Sequence, residues 1–454
     1  MDSGGTEHVL PEERSKASFV TEAMTNVLDG GETKTKRRRW IVGMSRGMEL
    51  GLEKYHMSRE DLLQRHVKDF LEIHGEWGDR MAINKFKPTR EEVVWMSEAA
   101  MNSGPFWDHY VPFWTALQGQ ASPEQLAVWG PRAARMGIVG TYAQTELGHG
   151  SNVRGLQTTA TFDSATDSFV LNTPSLTSLK WWPGGMAKLA THAVLYAQLI
   201  TKGKSHGVHA FLLQLRDENH GILPGIELAE LGPKMGDHSH DSGCMRLRDV
   251  RIPRQYLLEK YQHVDKDGVY HKAQVAEAGV PLHYSSMLLT RASWVKLAGG
   301  QTAKAAMIAV RYSAVRRQGF TADGEERALV DHTVQRHRLL VGVAVAYALK
   351  FTGNAFLQKV LLLEDPSTDP KAKVAQMPAL AAESASLKAF STSLAAEIIE
   401  DLRKCCGGNG YLLSSGIAAL ALDDLWHVTA EGDFVVLLLS AAKYHVKRYK
   451  PAGE

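Results

Sequence analysis

The sequence predicts an α+β chain of several domains, in which an N-terminal helical domain and a C-terminal helical bundle flank a middle β-barrel-like domain. Three observations predict this order. Residues 1–135 show a mostly helical pattern. Residues 136–278 contain short apolar and β-branched runs separated by Asp, Asn and Gly, which is typical of strands and turns. Residues 279–454 return to long apolar runs at helical spacing.

The middle domain is predicted from three runs of strand length. Residues 156–162 are rich in β-branched side chains, and residues 191–199 and 208–215 are almost continuously apolar. Continuous apolar runs of this length, bounded by turn residues, indicate strands that are buried on both faces.

The C-terminal bundle is predicted from four long runs. Apolar residues recur at helical spacing in residues 284–318, 329–363, 371–405 and 430–449. Helices of this length, joined by short connections, bury their apolar faces against one another. The whole chain of 454 residues is long enough for two or three domains.

Composition excludes several classes of protein. Hydrophobic residues make up 44% and charged residues 22%, with a formal net charge of +2. Such a near-neutral charge counts against a nucleic-acid partner, and we interpret the basic run at 34–39 as a solvated helix face. The cysteines, Cys244, Cys405 and Cys406, form neither a disulfide framework nor a CxxC metal motif. We therefore expect no metal site.

Membrane and export signals are not expected either. The longest apolar stretch, residues 339–351, is too short to cross a bilayer and contains Lys350. The N-terminus carries acids such as Asp2 and Glu7 and has no apolar core of a secretory signal. The last four residues, Pro-Ala-Gly-Glu, differ from the Ser-Lys-Leu peroxisomal signal.

Two motifs in the middle domain suggest a ligand site. Residues 137–153 read GIVGTYAQTELGHGSNV, and residues 180–185 read KWWPGG. The glycines at 148 and 150 fail as a dinucleotide fingerprint, because such a motif opens a helix whereas here a strand is predicted to follow. From the glycines alone, a hairpin turn is the preferred interpretation.

The wider spelling of both motifs resembles the acyl-CoA oxidases, relatives of the acyl-CoA dehydrogenases. The likeness runs from about residue 23 to residue 447 and includes RYSAVRRQ at 311–318. The resemblance implies an acyl-CoA dehydrogenase-like fold, FAD as cofactor, acyl-CoA and O2 as substrates, a homodimer and a peroxisomal location. It also implies a further helical domain after the stretch that contains Glu431, and the sequence ends 23 residues after that glutamate.

The resemblance assigns one group of residues to the flavin ring. The backbone near Thr145 and its hydroxyl are expected to hydrogen-bond the polar edge of the isoalloxazine, where donors stabilise incoming charge. Gly184 is expected to let the backbone approach the cofactor, since it has no Cβ. One of Trp181 and Trp182 is expected in the core and the other against the flavin. The full set of ring contacts implied is Tyr142, Gln144, Thr145, Gly150, Trp182 and Gly184.

A second group is assigned to the dinucleotide part. Arg316 and Gln318, at the end of a predicted helix, are implied at the pyrophosphate, for which a guanidinium offers a bidentate fork. Gly407, Gly408 and Gly410 are implied on the adenosine side of the partner's flavin. The simpler interpretations are a basic helix C-terminus and a glycine cap.

Glu431 is the residue that the resemblance implies as catalytic base. It is predicted in the first turn of the last helix, with Thr429 as N-cap, where an acid usually only complements the helix dipole. Burial beside an acyl chain raises the pKa of a carboxyl group, whereas a helix N-terminus lowers it. The sequence does not decide which effect is larger.

Other functions stay open at this point. A dehydrogenase shares the first half-reaction and differs in passing electrons to a carrier, which physical reasoning from the sequence does not distinguish. A catalytically silent member that binds acyl-CoA or a protein is a further alternative, because Phe434 stands where the family usually has Asn. A nucleic-acid-associated relative is the remaining one.

Overall fold

A computed structural model describes residues 8–43, 51–83, 92, 95, 104–272, 284–364 and 367–449. The α-helices whose bounds are described before the first strand are α1 (Val9–Ser15), α2 (Thr21–Asp29), α3 (Glu32–Gly43), α4 (Arg59–Ile83), α5 (Trp114–Gln120) and α6 (Pro123–Ala134). The start of α6 shows how the local sequence determines where a helix begins. Ser122 and Gln125 form a reciprocal capping box around Pro123, which satisfies the free N–H groups of the first turn.

The basic run at 34–39 lies on α3. Arg37 pairs with Glu92 and Arg39 with Glu22, so the run is balanced by neighbouring acids.

The middle domain, as far as the structure describes it, consists of two larger sheets and a separate antiparallel hairpin at residues 262–272. Its strands are β1 (Gly140–Ala143), β2 (Thr159–Asp163), β3 (Ser168–Asn172), β4 (Lys180–Gly184), β5 (His192–Thr201), β6 (Lys204–Gln214), β7 (Ile226–Glu230), β8 (Ser242–Leu247), β9 (Val250–Pro253), β10 (Gln262–Val264) and β11 (Tyr270–Lys272). The larger sheet has the order β1-β5-β2-β3-β9 with β6 on β5, and the smaller has the order β4-β8-β7. β5 runs parallel to β1 and β2 and antiparallel to β6. Its almost complete burial explains the continuous apolar run.

The C-terminal domain is built from α7 (Tyr284–Val315), α8 (Thr333–Glu364), α9 (Pro370–Cys405), α10 (Ile417–Asp424) and α11 (Phe434–Arg448). Glycines allow α7 and α8 to pack closely. A Cβ on Gly299 would lie 2.7 Å from the backbone nitrogen of Lys350, and one on Gly353 would lie 2.6 Å from the Cα of Lys296. The architecture confirms the predicted fold class, while the domain boundaries at 135 and 278 stay predictions.

Two predicted helix ends are wrong. The run predicted as a helix over 284–318 ends at Val315, and Arg317–Phe320 forms strand β12, which pairs with β13 (Glu326–Ala328). The last helix begins at Phe434, four residues later than predicted. The later start of the last helix follows from the positive φ of Gly432, at which a regular helix cannot continue.

The expectation that no segment is long enough to cross a membrane is also corrected. The apolar stretch at 339–351 is part of α8, and residues Thr333–Leu363 are long and apolar enough for a span by length and composition alone. In the structure this helix packs along α7 through the close glycine contacts described above.

Candidate functional site

Glu431 lies in a short loop between α10 and α11, not in the first turn of α11. Asp433 is the N-cap of α11, and its carboxylate accepts hydrogen bonds from the N–H groups of Val435 and Val436. Thr429, the predicted cap, instead donates its hydroxyl to the Trp426 carbonyl. The prediction of Thr429 as N-cap is therefore wrong. Thr429 is a residue type suited to an N-cap. Asp433 is the N-cap instead, because the chain turns at Gly432, immediately before it.

The backbone of this loop is strained. Glu431 has φ of 55° and Gly432 has φ of 116°. A positive φ is uncommon for a residue other than glycine, and such residues are concentrated at functional sites. A Cβ on Gly432 would lie 2.7 Å from Cδ2 of Leu437. The glycine is thus required by the backbone turn and by its packing against α11.

Two cations hold the loop through its carbonyl groups. Lys388, fully buried on α9, donates from Nζ to the Gly432 carbonyl at 2.8 Å and to the Val428 carbonyl at 3.4 Å. Arg291 on α7 donates from Nε to the Glu431 carbonyl at 3.4 Å. Burial lowers the pKa of Lys388 to about 8, which leaves the ammonium mostly protonated at neutral pH.

Burial is the larger of the two opposing effects on Glu431. Desolvation, followed by the negative charge of Asp108, raises the pKa of Glu431 to about 7 against the opposite influence of Lys388 and Arg291. A helix N-terminus does not offset this, because α11 begins beyond the residue. The question that the sequence left open is therefore answered by the loop geometry, before any substrate contributes to burial.

The Glu431 carboxylate lies near Tyr142 of β1 and Tyr196 of β5. Its charge acts on Tyr142 and Tyr196, whose ring centroids are 5.0 Å apart. The Tyr142 hydroxyl donates to Oε1 of Gln144 at 2.7 Å. The predicted base and the first predicted flavin contacts, Tyr142 and Gln144, are thus on the same side of the molecule.

Gly184 connects to the same place through Asp108. Its N–H donates to Oδ1 of Asp108 at 3.2 Å, and its carbonyl accepts from the Thr141 hydroxyl at 2.7 Å. A Cβ on Gly184 would collide with Nε2 of His240 and Oδ2 of Asp108. In this structure the missing Cβ is therefore needed for the approach of a polar pair, and the predicted approach of a cofactor at Gly184 stays a prediction.

Thr145 follows β1 and lies beside β4. Its carbonyl accepts a hydrogen bond from the Trp181 N–H at 3.0 Å, whereas no described residue bonds its hydroxyl. Trp182 is 56% exposed, with φ of 84°, and Trp181 is half-buried. Neither tryptophan is in the core, so that expectation is wrong. Of the two indoles, only that of Trp182 is exposed, and β4 is bulged between Trp181 and Gly184.

The turn after Thr145 is held by a buried ion pair. Nζ of Lys180 donates to Oε1 of Glu146 at 3.1 Å, and Glu146 also accepts from the Thr158 N–H and hydroxyl. Burial lowers the pKa of Lys180 to about 8. Burial alone would raise the pKa of Glu146, but Lys180 and these donors hold it below its ordinary value. Gly150 is exposed with open space at its Cβ position.

The second predicted group assembles elsewhere. Arg316 and Gln318 are exposed after the end of α7, not on a helix end as predicted. The loop Gly407–Tyr411 lies next to them, because Nδ2 of Asn409 donates to the Tyr312 hydroxyl at 3.0 Å. Gly407 and Gly408 are exposed, while Gly410 is buried. From Arg291 to Val315, α7 alone extends about 36 Å at 1.5 Å per residue, which separates this group from Glu431.

Several residues near the predicted site have no recognisable functional signal in the sequence motifs. Five charged side chains surround or support the predicted contacts: Asp108, Lys180, His240, Arg291 and Lys388. Each of the two lysines stands between two apolar neighbours, Leu179 and Trp181 or Leu387 and Ala389, which is a local signal for burial. Within the described ranges, no cluster of histidine, cysteine and acidic residues could hold a metal ion, and all three cysteines are free.

Comparison with known proteins places these features in a family. Residues 20–139 match the model described as acyl-coenzyme A oxidase N-terminal, residues 141–250 the acyl-CoA dehydrogenase middle domain, and residues 284–446 the acyl-CoA oxidase C-alpha1 domain. The peroxisomal acyl-coenzyme A oxidase 1 of Rattus norvegicus is 35% identical over 449 residues, which cover 97% of this chain and 66% of the relative.

Solved structures are similar over the same length. Acyl-CoA oxidase 1 of Arabidopsis thaliana superposes with a TM-score of 0.88 at 37% identity, covering 96% of this chain and 66% of that one. Acyl-CoA oxidase-2 of Caenorhabditis elegans, bound with FAD, ascaroside-CoA and ATP, gives a TM-score of 0.88 at 34% identity, covering 99% and 69%. The chain thus spans about two thirds of the length of the relatives it matches.

Proposed function

The chain belongs to the acyl-CoA oxidase family, and we propose that it is an FAD-dependent acyl-CoA oxidase. The proposed reaction converts an acyl-CoA to a trans-2-enoyl-CoA, with O2 reduced to H2O2, as the first step of fatty-acid β-oxidation. The observation that supports it most is the position of Glu431, a carboxyl group with a pKa of about 7 that lies near Tyr142 of β1.

Glu431 is the proposed base. The α-proton of an acyl thioester is weakly acidic, and its removal needs a base whose pKa lies near the working pH. With a pKa of about 7, the Glu431 carboxylate is more basic than an ordinary one and is half ionised near neutral pH. The cations Lys388 and Arg291 bind carbonyl groups of the loop backbone. These contacts restrict the position of the carboxylate that is proposed to accept the α-proton.

The residues around Thr145 fit FAD. The half-buried Thr145 hydroxyl has no partner among the described residues. The Thr145 carbonyl accepts the Trp181 N–H, and the next residue, Trp182, has an exposed indole. A free hydroxyl and an aromatic face complement the polar edge and the plane of an isoalloxazine. Thr145, Trp182 and the backbone from Tyr142 to Gln144 would hold the ring. When bound, FAD would supply the acceptor for the β-hydride, and O2 would reoxidise the reduced cofactor.

A homodimer is part of this proposal. Arg316 and the glycines at 407, 408 and 410 are assigned to the dinucleotide part of FAD. They are separated from Arg291, and hence from the Glu431 loop, by about 36 Å along α7. An extended FAD molecule is shorter than this distance. One flavin therefore meets both groups only if Arg316 and the glycine loop come from a second copy of the chain.

The proposed location is the peroxisome. The support is the name of relatives such as the rat and human peroxisomal acyl-coenzyme A oxidase 1, each matched over 97% of this chain.

A direct experiment tests the activity. The purified protein is scanned for flavin absorbance, mixed in air with acyl-CoAs of several chain lengths, and assayed for peroxide. In an oxidase, the acyl-CoA bleaches the flavin absorbance, and peroxide is released in proportion to the enoyl product. Bleaching without peroxide identifies a dehydrogenase. Bound flavin that no acyl-CoA bleaches identifies a silent acyl-CoA or protein-binding member, and both of these outcomes contradict the proposal.

A further inference from the structure

We infer that His427 is a positioning residue for the loop that carries Glu431. Bound by Asp424 and packed on Trp294, it fixes the carbonyl group of Trp426, to which the loop is anchored. The inference deepens the proposed function, because it concerns the base proposed there. The anchor itself is a feature of the folded chain and is tested without turnover.

The N-terminal end of the Glu431 loop is anchored to one carbonyl group. The Trp426 carbonyl accepts hydrogen bonds from the Thr429 N–H at 3.1 Å, from the Ala430 N–H at 3.0 Å and from the Thr429 hydroxyl at 3.1 Å. Ala430 is the residue directly before Glu431. The position of the Trp426 carbonyl therefore determines where the strained part of the loop begins.

A buried Asp–His pair holds the turn that carries this carbonyl. Nδ1 of His427 lies 3.0 Å from Oδ1 of Asp424, and the two residues are only 6% and 1% exposed. A carboxylate only accepts hydrogen bonds, so Nδ1 is the donor. The bond spans Trp426 and closes the short 3-10 turn Leu425–Val428. Because backbone bonds in such a turn have poor geometry, the side-chain bond adds a constraint that the backbone lacks.

The second carboxylate oxygen of Asp424 indicates more than ordinary core packing. Oδ2 is buried and has no hydrogen-bond partner among the described residues. Burial of a polar atom without a partner costs free energy, and each such atom in a folded protein needs an explanation. The orientation of the His427 ring by the first oxygen supplies one.

Trp294 connects His427 to the other contacts of the loop. Its ring centroid is 4.4 Å from that of His427 and 5.1 Å from that of Trp426, and Trp294 is only 2% exposed. Trp294 follows Arg291 by three residues on α7, so the two side chains lie on one face of the helix. Arg291 binds the Glu431 carbonyl. One face of α7 thus supports both the anchor and the strained residue.

Core packing without a positioning role is the alternative, and a pair of substitutions separates the two. His427→Phe leaves the Asp424 carboxylate buried without its donor, and Asp424→Leu leaves Nδ1 of His427 without its acceptor, so each single change is destabilising. The double variant contains neither unpaired group and keeps an aromatic ring against Trp294, so its stability should recover. The bond that orients the turn is still absent. Positioning therefore predicts recovery of stability without recovery of the reaction rate, whereas packing alone predicts that both recover.

Hydrogen exchange measures the anchor directly. Amide exchange over residues 426–432 is followed by mass spectrometry in the full chain. We expect the Thr429 and Ala430 amides to exchange at least about 10-fold faster in the double variant, because the carbonyl that they bond is no longer held. Asp424→Asn keeps an oxygen that accepts from Nδ1 and should exchange at the unaltered rate. His271→Phe is the matched control, since His271 pairs with Asp265 at 3.0 Å on the exposed hairpin β10–β11.

Single-turnover kinetics measure the consequence for the base. Flavin bleaching by a saturating acyl-CoA under anaerobic conditions, at equal flavin content, should be slower by about 10–10²-fold in the double variant, the effect of a displacement of about 1 Å. The acyl-CoA concentration for half-maximal bleaching should stay unchanged, because the affected loop positions the base. Asp424→Asn should retain the unaltered rate.

Unchanged exchange in the double variant overturns the proposal, and so does a bleaching rate that recovers together with the stability. A changed half-saturation with the rate at saturation intact also overturns it. A flavin-containing unaltered protein that no acyl-CoA bleaches contradicts the proposed function. In that case the exchange rates still decide whether His427 anchors the loop, since they need no reaction.

Discussion

Nζ of Lys388 lies 2.8 Å from the carbonyl oxygen of Gly432, and this contact fixes the loop that carries Glu431. Lys388→Met removes the donor and a positive charge that favours the Glu431 carboxylate. We expect the pKa of Glu431 to rise above about 7 and the stability to change by only about 1–3 kcal/mol, since a buried carbonyl loses its partner while a buried ammonium is removed. Carboxyl 13C titration measures the first effect. Lys371→Met, exposed on the same helix, should leave the midpoint unchanged.

Stability should depend on pH through Glu431. Its pKa is 4.5 in ordinary surroundings and about 7 in the folded chain, so the folded state binds the proton more tightly. The resulting stabilisation is complete below pH 4.5 and is lost as pH rises through 7. The change corresponds to about 3 kcal/mol at most. Glu431→Gln should therefore melt at a higher temperature than the unaltered protein at pH 8 and at the same temperature at pH 4.5. Equal differences at both pH values contradict the raised pKa.

Gly432→Ala should destabilise the chain by about 1–3 kcal/mol, since it imposes a Cβ at a positive φ. The same Cβ would meet Cδ2 of Leu437 at 2.7 Å. Urea unfolding measures the effect. The control is Gly75→Ala, exposed on α4 with nothing near its Cβ position, which should be neutral or stabilising by up to about 1 kcal/mol. Equal stability of the two variants contradicts the strained loop.

The buried pair of Lys180 and Glu146 should be costly to break. Lys180→Met leaves the Glu146 carboxylate buried without its cation, which typically costs about 3–5 kcal/mol. The double variant with Glu146→Gln should recover part of that loss, because no uncompensated charge remains. Lys359→Met is the control, since Lys359 and Glu383 pair on the surface and such pairs contribute at most about 1 kcal/mol. A double variant less stable than Lys180→Met would contradict this account.

The sequence predicted the elements with strong periodicity and missed the contacts between distant residues. β5 is recognisable from its almost continuous apolar run, which reflects the burial of all but two of its residues. The start of α11 was misplaced because Thr429 and Asp433 are both suitable caps, and only the positive φ of Gly432 favours the second. Asp108 and His240 are 132 residues apart, so no local pattern joins them. Glu431 was identified through resemblance alone, and its burial was visible only in the fold.

The proposed reaction depends on removal of the α-proton by Glu431. The most direct measurement is the rate of flavin bleaching by an acyl-CoA under anaerobic conditions in stopped flow, with Glu431→Gln compared with the unaltered protein at equal flavin content. We expect a yellow variant whose bleaching is slower by about 10²–10⁴-fold, the usual contribution of a general base. A variant that retains its flavin and bleaches at the undiminished rate would contradict it.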